Sequence, residues 1–271
     1  MRLKIRHHTG YHYDKPITYA IQTLRLTPQS YDGLSVLRWR VAGETRRDLP
    51  SFTDGFGNTV HSHTVNYPHN SAGVFVDGEV DTRDTFGVVS GAIETLPPLF
   101  YLRETELTKA EPEIVALAND SARGSTVAER LLSLMGAIRD KVAYRSGMTN
   151  SQTKAAQSLA LGAGVCQDHA HIMIAAARSL GIPARYVGGY VWTGEDGGDD
   201  QASHAWAECL VPEEGWVGFD VSNGVRAAEA HIRTAIGLDY WEAAPVRGLR
   251  RGDAEESLTV KVQVRRAESE Q

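Results

Sequence analysis

Cysteine is nearly missing from this 271-residue chain: only Cys166 and Cys209 are present, so a disulfide framework and a four-cysteine metal centre are both excluded. Each thiol must be either core filler or chemistry. No uninterrupted apolar run reaches the ~18 residues that a spanning helix needs. The opening residues MRLKIRHHTGYHYD hold no apolar signal core. A soluble, cytoplasmic protein with no membrane partner is expected. Basic excess is lacking as well, since 28 Lys and Arg stand against 34 Asp and Glu for a formal net charge of -6. That balance leaves no electrostatic footprint for nucleic acid. Internal repeats, low-complexity tracts, a serine nucleophile elbow and a phosphate-binding glycine loop are all absent. What is there is an ordinary globular composition, 42% hydrophobic and 23% charged, enough for one large domain or two modest ones.

The first part alternates in strand fashion. Leu3, Ile5, Tyr11 and Tyr13 occupy odd positions, and Leu37, Trp39 and Val41 repeat the pattern against Arg38 and Arg40. The stretch Asp54-Gly55-Phe56-Gly57-Asn58 supplies turn residues before Val60, Val65 and Tyr67, and Val74, Val76 and Val80 flank a further hairpin candidate. Residues 1–97 are therefore expected to form a β-sandwich or barrel-like domain. Pro97 and Pro98 break the pattern, and residues 98–271 follow as a second domain with helical periodicity at its start. Thr126 and Glu129 make a capping box, after which Leu131, Leu132, Met135, Ile138 and Val142 are assigned to one stripe. A short helix is expected over Thr153–Leu161. The loop Gly162-Ala163-Gly164-Val165 leads into CQDHAHIMIAAARSLG, a helix apolar all round that Gly181 and Pro183 stop. Strands then return, so the fold class is α+β.

Side chains alternate faces along a strand, and that phase places the chemistry. Tyr186, Gly188, Tyr190 and Trp192 share one face of their strand. His204, Trp206 and Glu208 share another, with Cys209 on the opposite side, and Trp216, Gly218 and Asp220 share a third. Leu258, Val260, Val262 and Val264 form a last strand expected to close a sheet edge. A cysteine attacks only as its thiolate, which a helix N-terminus and a neighbouring imidazolium both favour. Cys166 starts a helix after a glycine-rich turn, His204 opens a strand, and Asp220 lies on the next, where a carboxylate can orient the imidazole. Cysteine by default is a small core residue. That default fits Cys209, whereas helix position and partners reverse it for Cys166.

Three segments carry a resemblance. GVCQDHAHIMIAAARSLGIPARYVGGY, SHAWAECLVPEEGWVGFDVSNG and GLDYWEAAPVRG resemble, in order, the core motifs of the bacterial transglutaminase-like superfamily, and the first part with its DGFGN turn resembles the N-terminal β-domain of bacterial members. The resemblance implies a papain-like transglutaminase core of helices and antiparallel sheet. It implies Cys166 as nucleophile, His204 as general base and acid, and Asp220 as the orienting carboxylate. Two departures stand out. The family's Asp-Pro-Thr-Asn is here Asp220-Val221-Ser222-Asn223, and its Gly-Arg-Asp-Tyr is Gly237-Leu238-Asp239-Tyr240, a change expected at the cleft rim.

The implied chemistry is acyl transfer through a thioester, with the backbone N–H of Cys166 and a further donor among Gln157, Tyr186 and Tyr190 meeting the oxyanion. Trp206 is a candidate for the cleft or the core. Water would make the protein a cysteine-dependent hydrolase of peptide or isopeptide bonds, and an amine acceptor would make it a protein-glutamine transamidase. A non-catalytic scaffold is the third reading, against which the intact Cys, His and Asp argue. The expected partner is a protein or peptide substrate. His61, His63 and His69, with His7, His8 and His12, raise a metal-binding alternative, but no carboxylate or thiolate joins them at ligand spacing, so solvated strand faces are favoured. Asp168, His169 and His171 are read as helix-start and packing residues. Glu195, Asp196, Asp199 and Asp200 lack a calcium-loop pattern and are read as a solvated loop. No cofactor and no metal is expected.

Overall fold

The period-two pattern at the chain start is realised as a long strand in which Leu3, Ile5, His7 and Thr9 are buried between exposed Arg2, Lys4 and Arg6. The structure, a computed structural model, describes residues 1–45, 47–194 and 203–267. Seven strands come first: β1 (Arg2–Ile17), β2 (Tyr19–Thr27), β3 (Leu34–Gly43), β4 (Ser51–Thr53), β5 (Thr59–Val65), β6 (His69–Thr82) and β7 (Val88–Val89). A 3-10 turn over Pro98–Leu102 precedes α1 (Pro112–Ser121), α2 (Val127–Lys141), β8 (Ala143–Tyr144), α3 (Ala155–Leu161), β9 (Ala163–Gly164) and α4 (Cys166–Ser179). Then follow β10 (Ala184–Val191), β11 (His204–Val211), β12 (Gly215–Asp220), β13 (Val225–Arg226), β14 (His231–Gly237), α5 (Tyr240–Ala243), β15 (Val246–Arg251) and β16 (Glu256–Arg266).

Two four-stranded sheets, ordered β16-β1-β6-β3 and β15-β2-β5-β4, form a sandwich. Its filling includes Leu24 and Leu26 against Val41, Val74 and Val76, inward positions of strands in opposite sheets. The last two strands close both sheets. β16 runs antiparallel to β1 from Leu3↔Arg266 to Tyr13↔Glu256, and β15 to β2 from Val246↔Leu24 to Arg251↔Tyr19. In the other direction, β7 pairs with β12 of the second half. The chain therefore crosses the division expected at residue 97 from both sides, because strand pairing is chosen by edges and faces remote in sequence. Val262 and Val264 are buried, while Leu258 and Val260 are exposed.

The core sheet is antiparallel, ordered β13-β12-β11-β10-β14, with β7 also on β12. Helix α4 lies against it and is buried at every residue from Asp168 to Arg178. A helix enclosed on all sides must be apolar on all sides, as this one largely is. The polar exceptions are Asp168, His169 and His171 in its first half and Arg178 near its end, which donates to the carbonyls of Tyr101, Ala184 and Leu238 and to Thr108 Oγ1, fixing the C-terminal end of the helix. The expected capping box starts α2, with Thr126 Oγ1 accepting from Glu129 N–H at 3.1 Å and Glu129 Oε2 accepting from Thr126 N–H at 3.2 Å. The buried stripe of α2 is Leu131, Leu134, Met135 and Ile138, with Leu132 38% exposed. Leu132 is one residue, about 100° of helix, beyond Leu131 and so leaves the apolar face.

The two halves share a core in which Tyr190 and Ile232 pack with Leu3, Ile5, Leu34, Val80, Val262 and Val264. The DGFGN turn adds a polar clamp. Asp54 Oδ1 accepts from Phe56 N–H and Asn58 N–H, Gly57 takes the positive φ of 86° that closes the turn, and Asn58 is thereby aimed at β14. There the Asn58 amide donates to Ile236 O and accepts from Ile236 N–H, both at 2.8 Å. It satisfies the edge of the core sheet as a strand would.

Candidate active site

Cys166 is the first residue of α4, partly buried, where the unpaired N–H groups of the first turn gather positive potential. Asp168 builds the start of that turn: its Oδ2 accepts from Val165 N–H at 2.8 Å and from Thr149 Oγ1 at 2.6 Å. Gly164 is required beside it, since a Cβ there would fall 2.7 Å from Asp168. Strand register supplies the other two residues. Ala207 opposite Phe219 and Glu208 opposite Gly218 put Asp220 one diagonal step from His204 on the same face. His204 Nε2 lies 2.7 Å from Asp220 Oδ2. The Cys166 thiol hydrogen-bonds His204, and the Tyr144 hydroxyl also meets it.

The electrostatics follow from this geometry. Burial opposes a charge on His204, but hydrogen bonds to Asp220 and Cys166 and the charges of both outweigh it, raising its pKa from 6.5 to about 10. Asp220 is wholly buried, which works against its ionisation, yet the hydrogen bonds and charges of His204 and His231 hold it well below the carboxylate range. Tyr144 is shifted upward, first by burial and then by the charges of Cys166 and Asp220, so it stays a donor. The second cysteine differs in every respect. Cys209 is fully buried in the apolar cluster between α4 and the sheet, and burial pushes its thiol far up.

Three contributors escape the sequence reading. His231 Nε2 lies 2.9 Å from Asp220 Oδ2, and Asn223 donates to Asp220 through Nδ2 at 2.6 Å and its backbone N–H at 3.2 Å. Tyr144 is the third. His231 lies between the second and third motifs and Tyr144 ahead of the first, outside all three, and the close crossing of the chain from β13 to β14 brings His231 in. That crossing depends on Gly218, where a Cβ would fall 2.7 Å from Ala227, and on Gly189, where it would fall 2.1 Å from Ile232 O. Asn223 was legible in the segment carrying Asp220, since a polar residue three positions past a strand-end aspartate can close a turn on it.

A cleft of about 320 Å³ opens over the thiol, lined by Tyr144, Gln167, Tyr186, Gly188, Tyr190 and Thr234 among others, with Leu26 contributed by the N-terminal sandwich. Among the described residues that line it, His204 is the one basic or acidic side chain besides the thiol itself. Tyr186 and Tyr190 thus reach the cleft, though the Tyr190 hydroxyl is held by His7 Nδ1 at 2.8 Å. Gln157 does not. Its Oε1 accepts from Lys154 N–H at 2.9 Å, so the side chain is spent on the first turn of α3. Trp206 lies behind the site, with its ring 6.2 Å from that of His204 and 5.2 Å, edge-on, from that of His231. Leu238 is buried beside Tyr101 and Trp206 and not at the rim, which Tyr240 forms instead.

Other polar residues singled out in the sequence find partners within the fold. His169 donates through Nε2 to Val142 O and meets Ser222 Oγ through Nδ1, while His171 Nε2 accepts from Tyr240 N–H. Full burial, and after it the charge of Arg178, lower the His171 pKa to about 3, in keeping with a neutral ring whose Nε2 accepts a backbone proton. His7 bonds Tyr190, His63 bonds Gln22 and His69 bonds Tyr67 O. Among the described residues, one set of His, Cys, Asp and Glu side chains lies close enough to share an ion: His204, Asp220 and His231, within 4.8 Å. Their direct hydrogen bonds already account for that proximity. Glu195, Asp196, Asp199 and Asp200 lie outside the described residues.

The crystal structure of a candidate cysteine protease from Cytophaga hutchinsonii superimposes with a TM-score of 0.78 at 22% identity, covering 100% of this chain and 92% of its own. That likeness is one of fold. An uncharacterized protein of Mycobacterium leprae is 28% identical over 98% of this chain and 99% of its own. One of Mycobacterium tuberculosis is 28% identical over 95% and 90%. The model of the bacterial transglutaminase-like N-terminal region matches residues 3–81, and that of the transglutaminase-like superfamily core matches residues 115–221, a span that contains Cys166, His204 and Asp220. The chain belongs to the transglutaminase-like superfamily, in its bacterial two-part form.

Proposed function

We propose that this protein is a cysteine-dependent hydrolase of peptide or isopeptide amide bonds, with Cys166, His204 and Asp220 as its catalytic triad. The observation that carries the reading is the continuous chain of contacts from the Cys166 thiol through His204 to Asp220 Oδ2, at a helix start inside a cleft. Asp220 accepts only, so His204 carries its proton on Nε2 toward it and turns Nδ1 to the thiol. The thiolate attacks the carbonyl carbon, and the oxyanion forms beside the backbone N–H of Cys166. The Tyr144 hydroxyl, already interacting with the thiol, is a side-chain donor for the oxyanion. Collapse breaks the C–N bond, His204 delivers its proton to the departing amine, and a thioester remains. Water, deprotonated by His204, then attacks the thioester, releasing the acid and restoring the thiolate.

A cleft with no further charged lining among the described residues suits a neutral acyl side chain. The Cytophaga neighbour, described as a candidate cysteine protease, agrees with this class of reaction. Two unpaired thiols suit a reducing compartment, and a cytoplasmic location is part of the same proposal. The deciding experiment supplies a glutamine-containing peptide with and without a primary amine and follows acid and conjugate by mass. Hydrolysis that exceeds amine incorporation is expected. Incorporation exceeding hydrolysis would replace the proposal with a transamidase, and neither product over a range of peptides would leave a scaffold.

A further inference from the structure

Asp220 is wholly buried, and its Oδ2 receives three N–H groups: Asn223 Nδ2 at 2.6 Å, His204 Nε2 at 2.7 Å and His231 Nε2 at 2.9 Å. A carboxylate oxygen offers acceptor sites only, so both imidazoles must be protonated on the nitrogen that faces it. His231 stands at the start of β14 and is buried. Its Nδ1 is buried too and has no hydrogen-bond partner among the described residues. The contact with Asp220 is then the polar interaction for which this imidazole is buried, although a leucine would fill the same space without an unpaired nitrogen. Trp206 packs edge-on against the ring at 5.2 Å and limits its rotation. The close crossing at Gly218 and Gly189 delivers the residue to this point.

We infer that His231 is a positioning residue, which holds Asp220 Oδ2 in the place where it orients His204. The inference rests on the triad reading above. With Asn223 alone, the carboxylate would be tied from an exposed turn on one side. With His231 it is held by two elements, one donor coming from the turn after β12 and the other from β14, so that rotation of the carboxyl group away from His204 breaks a buried hydrogen bond. His231 touches neither the thiol nor the space above it, and so acts through Asp220.

The test uses the full chain labelled with 15N-histidine, together with His231→Leu and His231→Gln. Among the protected imidazole N–H resonances of wild type, two should come from the rings bonded to Asp220, assigned by the loss of one in His204→Ala and of the other in His231→Leu. In His231→Leu the His204 resonance should exchange with water at least about tenfold faster, and iodoacetamide should alkylate Cys166 at neutral pH about tenfold to a hundredfold more slowly. His231→Gln keeps a donor within reach of Oδ2 and should restore both readouts to within about threefold. An unchanged His204 resonance and unchanged alkylation in folded His231→Leu would overturn the inference. If His231→Leu does not fold, His231→Gln decides: losses as large as those of His204→Ala in a folded protein show that a donor is not what is needed. The His204 resonance reports the Asp220 contact whether or not amides are hydrolysed, so failure of the hydrolase reading is seen separately.

Discussion

The two cysteines lie on elements that pack against each other, α4 and β11, yet their surroundings share almost nothing. Cys209 is enclosed by aliphatic side chains between helix and sheet, with its thiol pushed far up by burial. Cys166 stands at the partly buried start of the same helix, in a cleft, beside His204 and Tyr144. Both thiols are small and both are largely hidden. What separates them is the partner within reach, and that is decided by strand phase: His204 and Cys209 point to opposite sides of β11. Burial without a partner silences a thiol, whereas partial burial beside an imidazole prepares it for attack.

The harshest test of that contrast is to remove each thiol in turn. Cys166→Ala should reduce amide hydrolysis to the uncatalysed level while Cys209→Ala stays within about threefold of wild type, measured by product release with circular dichroism as the fold control. Equal losses in two folded variants would erase the distinction. Next, His204→Ala should lower hydrolysis by roughly 10²–10⁴-fold and slow alkylation of Cys166, leaving modification of Cys209 under denaturing conditions unaltered.

In the proposed mechanism the acid form of His204 protonates the leaving amine, and that form persists to about pH 10. Hydrolysis should therefore fall as pH rises through that value, by about tenfold per unit beyond it. The same shift is a stability statement. A folded-state pKa raised from 6.5 to about 10 gives a contribution fully present below about 6.5 and lost as pH rises through about 10. Denaturant midpoints of wild type and His204→Ala should accordingly converge between pH 7 and 10.5. For Asp220, whose pKa is lowered from 3.8, the contribution is present above about that value and fades as pH falls below it. The smallest effect is expected at the silent thiol. Cys209→Ser puts a hydroxyl into an apolar site and should cost about 1–3 kcal/mol of stability, read from urea unfolding, with kcat unchanged.

How much of this was open to the sequence depends on the range of the interaction. Cys166, His204 and Asp220 could be placed because each is fixed by local rules, a helix start and the faces of two consecutive strands. Capping at Thr126 and Glu129 could be read for the same reason, and so could the turn at DGFGN. Leu132 was assigned to the wrong face because adjacent leucines blur a 3.6-residue period, and Leu134 took its place. Gln157 looked available as a donor, but an amide three residues into a helix is readily captured by the first turn. His231 and the return of β15 and β16 to the sandwich were out of reach. Each depends on which remote edge or face a segment meets, and no local pattern encodes that.

That return has a bearing on how the molecule is made. β1 is synthesised before the whole transglutaminase-like core, yet one of its two neighbours, β16, is synthesised after it. Until then β1 and β2 each present an unsatisfied hydrogen-bonding edge, the feature by which nascent strands join the wrong partner. Closing pairs as remote as Leu3 and Arg266 carries a large loop-closure entropy and belongs among the slow steps of assembly. The sandwich can thus be completed only after the core between its strands has been synthesised, and the wall it contributes to the cleft through Leu26 waits on that closure.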